Sequence, residues 1–152
     1  MSQLSRRLSV IAFLSMCLSA AALLGHAQES KPHRLAIQVS TADPAVMALA
    51  LSNVVNVSEE YARSGEEIEV EIVAYGPGLN MLREDTSPVK ARVKSIAQSM
   101  PYVTFRACGN TQATMSKNEG KEIVLLPEAK VVKAGVVRLM ELQEAGWSYI
   151  HP

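Results

Sequence analysis

The chain has 152 residues, enough for one domain, and sets 15 basic side chains against 15 acidic ones. Aromatics make up only 5% of it and the Lys and Arg residues form no stripe, which excludes the platforms and charged faces that hold nucleic acid. With 2 cysteines it is not a disulfide scaffold.

The first segment differs in composition from the rest. Arg6 and Arg7 precede an apolar run from Leu8 to Leu24, and Gly25 and Ala27 are small residues around a cut after Ala27. This order describes a cleaved secretory signal peptide over residues 1–27. Ser15 and Ser19 interrupt the run, which argues against a membrane anchor. Met16 before Cys17 argues against a lipidated cysteine. Cleavage removes Cys17 and leaves Cys108 as the one thiol, with 13 basic against 15 acidic side chains once Arg6 and Arg7 are gone. The expectation is a periplasmic protein with no membrane segment after cleavage.

Residues 28–33 are polar, contain Pro32 and read as a flexible arm before a single domain over 34–152. Leu35, Ile37 and Val39 alternate in a first strand. Asp43-Pro44 is an N-cap followed by a proline at the first helical position. Met47, Ala50, Leu51, Val54, Val55 and Tyr61 then keep a helical period until Gly65. Leu49 and Val57 lie off that stripe. A second strand runs from Ile68 to Tyr75 and ends in Gly76-Pro77-Gly78, and Leu79, Met81 and Leu82 form a short helical turn. Ser87-Pro88 repeats the cap-plus-proline device, ahead of a helix whose core face is Val89, Val93, Ile96, Ala97 and Met100, stopped by Pro101.

Val103, Phe105 and Ala107 make a third strand that runs into Cys108-Gly109-Asn110-Thr111. Here Gly109 is expected to allow a sharp exit, and Asn110 or Thr111 to cap a polar helical turn reaching about Lys117. Ala129 to Ala134 is the fourth strand. Gly135 opens a helix through Ala145, Gly146 takes the left-handed position after it, and Trp147 to Ile150 is a short last strand. Strands alternating with helices predict an α/β domain, with a mainly parallel five-stranded sheet and helices on both faces. Ligands of such sheets sit at the carboxyl ends of the strands. Those ends are Ser40-Thr41, Tyr75 to Gly78, Cys108 to Thr111 and Ala134-Gly135, so the glycines, the hydroxyls and the thiol share one edge.

Several chemistries fit these residues poorly. Gly76-Pro77-Gly78 lacks the third glycine of a dinucleotide fingerprint, since Met81 stands there, and Pro77 has no N–H to donate. His33 and His151 are not spaced as metal ligands and no Cys-x-x-Cys exists, so no metal or cofactor is expected. A Cys/His hydrolase needs a base beside Cys108. His33 lies on the opposite sheet edge, roughly 20 Å away at about 3.3 Å per residue, and His151 could reach the correct edge but stands next to the terminus. Cys108 itself is either a small buried core residue or a thiolate stabilised at a helix start, with Arg106 as a further candidate contributor.

From about Leu35 to Ile150 the chain resembles the DsrE/DsrF-like family, especially its short single-domain members. The residues that carry this are Ile37 to Ser40 with Asp43-Pro44, Ala74 to Gly78, Ala107 to Thr111, and Val132 through Trp147. The resemblance implies a three-layer α/β/α fold and homo-oligomers, trimers or hexamers. It also implies that the cysteine after the third strand, Cys108, accepts and passes on sulfane sulfur as a persulfide, from or to a donor or acceptor protein. The relay members work in the cytoplasm, whereas this chain carries an export signal.

The leading expectation is therefore an exported sulfur carrier or thiol-redox protein. Cys108 would be its nucleophile, Gly109, Asn110 and Thr111 its thiolate support, and Tyr75, Gly76, Pro77, Gly78 and Ser40 its pocket. The alternative is a non-catalytic oligomer, binding a small ligand or purely structural, with Cys108 buried. The off-stripe apolar residues of the first and last helices suit an oligomer interface under either reading.

Overall fold

The computed structural model describes residues 31–152. The predicted signal peptide and the first three residues of the predicted arm lie outside the described residues. In chain order the elements are β1 (His33–Val39), α1 (Pro44–Ser64), β2 (Ile68–Ala74), a 3-10 helix (Gly76–Leu82), α2 (Lys90–Ser99) and β3 (Val103–Cys108). Then follow α3 (Gly109–Glu119), β4 (Ala129–Val132), α4 (Gly135–Glu144) and β5 (Ser148–Ile150).

The strands form one five-stranded sheet in the order β4-β3-β2-β1-β5, and every pairing is parallel. Ile37 stands opposite Ile72, Ile72 opposite Phe105 and Phe105 opposite Ala129, so side chains of one parity share a face across the sheet. The larger core is on the face of Leu35, Ile37, Val39, Val70, Ile72, Val103 and Phe105. Met47, Ala50, Leu51 and Val54 of α1 cover it, together with Leu79, Met81 and Leu82 of the 3-10 helix and Val93 and Ile96 of α2. On the other face Leu139 and Leu142 of α4 pack on Ala36 and Val73, flanked by Tyr75 and Trp147. This is the α/β/α layering expected of the sequence.

Local starts and stops follow capping chemistry, with corrections. Asp43 caps α1 as predicted, its carboxylate accepting the Ala45 N–H at 2.8 Å. His33 belongs to β1 rather than to an arm: its N–H donates to the Glu67 carbonyl and its ring stacks on Tyr61 at 3.9 Å. Ser87-Pro88 does not begin α2. The Ser87 hydroxyl donates instead to the Met81 carbonyl at 2.5 Å, and Val89 becomes the N-cap, its carbonyl taking the Arg92 and Val93 N–H groups. Gly146 has φ +82°, the left-handed conformation expected after the helix end.

Candidate functional site

Cys108 is both the last residue of β3 and the N-cap of α3. Strand alternation puts it on the face of Arg106, and it stands opposite Val132 in register. Three residues beyond Val132 the chain turns into α4 at Gly135, so two helix starts meet beside one sulfur. Gly135 has to be a glycine there. A Cβ on it would lie 2.9 Å from the Tyr75 Cβ and 3.3 Å from the Cys108 Cβ. Gly109 is also required for space rather than for a sharp exit: its φ is not positive, and a Cβ would lie 3.1 Å from Val131 Cγ1 and 3.2 Å from the Val132 carbonyl oxygen.

The electrostatics at the sulfur are a contest. Burial pushes the thiol up, since Cys108 is only 5% exposed. Against that, the Thr111 hydroxyl and the N–H groups of Gly135, Thr111 and Asn110 lie around the sulfur and together hold its pKa below the ordinary value of 9.0, although the Cys108 side chain makes no capping hydrogen bond to α3. The Asn110 N–H donates to the Lys133 carbonyl at 3.1 Å. The donors at helix starts carry partial positive charge, which favours thiolate over thiol. Asn110 and Thr111 thus support the sulfur from the first turn of α3, not as the caps the sequence led us to expect.

The loop after β2 supports this arrangement from behind. Gly76 adopts φ +52°, a left-handed conformation open to glycine, and its N–H donates to Thr111 Oγ1 at 3.0 Å. Gly78 packs so closely on β1 that a Cβ would fall 2.2 Å from the Val39 carbonyl oxygen. With the Gly78 N–H donating to the Tyr75 carbonyl, the Gly-Pro-Gly turn spends its donors inside the protein and offers none to a phosphate.

The structure therefore brings Tyr75, Gly76, Asn110 and Thr111 around Cys108 but does not bring Ser40. Ser40 turns its hydroxyl away, accepting from Gln38 Nε2 at 3.1 Å and meeting His151 Nε2 at 3.2 Å. Strand β2 stands between it and β3, a separation of about 10 Å at ~4.8 Å per strand. His151 shares that position, and His33 is at the other edge, 3.6 Å from Glu66. Neither histidine serves as a base for Cys108. Arg106 is not a partner of the thiol either, because its Nε lies 3.2 Å from Glu71. Gly135 is the member that sequence reading left out of the site, although it falls at the carboxyl end of a strand as the others do.

Two open clefts flank the thiol, and Cys108 lines neither. One, of about 580 Å³, is mostly apolar and lies against Ala42, Pro77, Asn80, Thr111, Thr114 and Met115. The other, of about 590 Å³, is lined by Arg106, Val132, Lys133, Ala134, Arg138 and Glu141, among others. Behind it the buried Glu71 carboxylate takes Arg138 Nε at 2.6 Å and Nη2 at 3.0 Å. Burial pushes the Glu71 carboxyl up, but the two arginines outweigh it and hold the pKa below 4.5. Among the described residues, no helix is long and apolar enough to cross a membrane.

No family model matches the chain. No curated protein matches it either. Among solved structures it is similar to MTH1491 from Methanobacterium thermoautotrophicum, a protein of unknown function, at 31% sequence identity and a TM-score of 0.67. The likeness covers 79% of this chain and 99% of that one.

Proposed function

The chain belongs to the family of MTH1491, whose function is unknown, and we propose from its own site that it is an exported, DsrE/DsrF-like sulfur carrier acting through Cys108. The observation that carries this reading is the placement of Cys108 at the start of α3, with the start of α4 packed against it at Gly135, so that the Thr111 hydroxyl and backbone N–H groups of both helix starts favour its thiolate. A thiolate stabilised in this way attacks the terminal sulfur of a sulfane donor. A new S–S bond forms to Cys108, the donor's old S–S bond breaks, and the electron pair leaves with the donor. No proton has to be removed at that step, so the absence of a base among the groups around the sulfur is no obstacle.

The carrier works in the periplasm after loss of residues 1–27, as a homo-oligomer (trimer or hexamer) that exchanges sulfur with a donor or acceptor protein. Val136, Val137 and Met140 of α4 are exposed, which supports an assembly that covers them. Intact-mass analysis after polysulfide exposure tests the carrier. Wild type should gain one reducible sulfur and Cys108→Ser none. Equal gain by both, or gain by neither, would sink it.

A second reading rests on the 5% exposure of Cys108 and on the mostly apolar cleft beside Pro77 and Met115: a non-catalytic oligomeric binding protein with an inert thiol. Under that reading native Cys108 resists alkylation until the protein is denatured.

A further inference from the structure

We propose that the cleft beside Lys133 is a subsite for a small sulfur oxyanion, with thiosulfate as sulfur donor and sulfite as the product that leaves; this rests on the sulfur-carrier reading of Cys108. The cleft opens on the sheet face from which the Cys108 side chain projects. Its wall includes Val132, opposite Cys108 in register, and Ala134, the residue before Gly135, where an added Cβ would lie 3.3 Å from the Cys108 Cβ. Three cations line it, Arg106, Lys133 and Arg138, against the Glu141 carboxylate on its wall and Glu71 behind it.

The two carboxylates are engaged chiefly by Arg138, which holds Glu71 through two bonds and meets Glu141 at 3.4 Å. Arg106 is less well used. Its Nε lies 3.2 Å from Glu71 but is buried without an aligned hydrogen bond, and its guanidinium makes none among the described residues. Lys133 has no ion-pair partner among the described residues. Lys130 stands opposite Arg106 in register and adds a further cation to that side of the sheet. An anion in this cleft therefore meets the unpaired Lys133 ammonium beside two guanidinium groups already paired with carboxylates, and a planar guanidinium suits an oxyanion with several oxygens.

The chemistry balances without an outside oxidant. The Cys108 thiolate attacks the outer sulfur of thiosulfate, the Sγ–S bond forms as the S–S bond of thiosulfate breaks, and the bonding pair leaves with sulfite. Cys108 is left as a persulfide anion. The reverse step, sulfite attacking the persulfide, regenerates thiosulfate and the thiolate.

The experiment follows sulfite release and intact mass on mixing the reduced protein with thiosulfate, beside a polysulfide control. Expected are one sulfite and one bound sulfur per Cys108, a rate at least about tenfold lower in Lys133→Glu at low salt, and recovery in Lys133→Arg. Loading by polysulfide but not by thiosulfate would overturn the subsite and leave the carrier reading standing. Loading by neither would overturn both. An equal thiosulfate rate in Lys133→Glu would place the anion elsewhere and overturn the subsite. A readout independent of sulfur transfer is the ratio of Cys108 alkylation by iodoacetate to that by iodoacetamide. It should fall in Lys133→Glu, and an unchanged ratio counts against the cationic cleft.

Discussion

The Gly76 N–H donates to Thr111 Oγ1 at 3.0 Å, which takes one acceptor site of the hydroxyl and leaves its proton available toward Cys108, whose thiolate Thr111 favours. The loop after β2 thereby orients a donor on α3. A backbone amide on one strand end and a thiol on the next are coupled through one threonine side chain.

Thr111→Val breaks this coupling at both ends. The thiol loses its side-chain donor, so its pKa should rise relative to wild type, and alkylation at neutral pH should slow. The half-buried Gly76 N–H also loses its acceptor, which should lower stability by about 1–3 kcal/mol. Thr111→Ser keeps the hydroxyl and should retain most of both properties. The pH dependence of iodoacetamide reaction and a urea titration measure the two effects separately. A Thr111→Val protein with the wild-type alkylation profile would remove Thr111 from the thiol's environment.

His151→Ala should leave the rate and pH profile of Cys108 alkylation as they are in wild type. The imidazole meets Ser40 at the end of β1, and strand β2 intervenes before β3. A shifted alkylation profile would mean that the C-terminal residues reach the thiol in solution.

Three alanine substitutions should rank by what the new Cβ meets. At Gly78 it would fall 2.2 Å from a backbone oxygen of Val39, which no rotamer change relieves, so Gly78→Ala should abolish folding or cost several kcal/mol. At Gly135 the obstacles are the Cβ atoms of Tyr75 and Cys108, at 2.9 and 3.3 Å, and the expected cost is about 1–3 kcal/mol with a disturbed thiol. At Gly109 the nearest atom is a Val131 methyl at 3.1 Å on an exposed side chain that can give, and the cost should be smallest. Thermal unfolding of the three variants gives the order. Gly109→Ala melting below Gly135→Ala would contradict it.

How far the sequence carried these conclusions depends on range. The sheet was legible because Leu35, Ile37 and Val39 alternate along one strand and Val103, Phe105 and Ala107 along another, and Asp43-Pro44 announced α1 through its own side chain. Cys108 was legible as a strand-end thiol for the same local reason. Gly135 was not, because its contact with Cys108 arises from pairing β4 beside β3, a relation that no spacing encodes. Ser40 misled for the complementary reason. It lies on the correct edge, but strand order puts β2 between it and the thiol. The Ser87-Pro88 pattern failed because a carbonyl six residues earlier in the chain, that of Met81, competes for the serine hydroxyl.

The buried Glu71 makes a prediction about acid stability. Its carboxylate is held by Arg138 and Arg106, and its folded pKa lies below the ordinary 4.5 despite burial. A carboxyl with a depressed folded pKa binds protons more readily when the chain is unfolded. Its contribution to stability is therefore complete above about pH 4.5 and is lost as pH falls through the folded pKa. Glu71→Gln removes the titrating group while keeping its size. The variant should be less stable at neutral pH, where Arg106 and Arg138 lose the carboxylate they share, and its stability should fall less steeply than that of wild type between neutral pH and pH 3. Glu71→Ala should do worse, about 3–5 kcal/mol at pH 7, because Arg106 is left without a carboxylate and Arg138 keeps only Glu141, at 3.4 Å. Urea unfolding across that pH range gives both slopes. Parallel curves for wild type and Glu71→Gln would show that Glu71 does not supply the acid sensitivity, and that the arginines do not depress its pKa as the geometry requires.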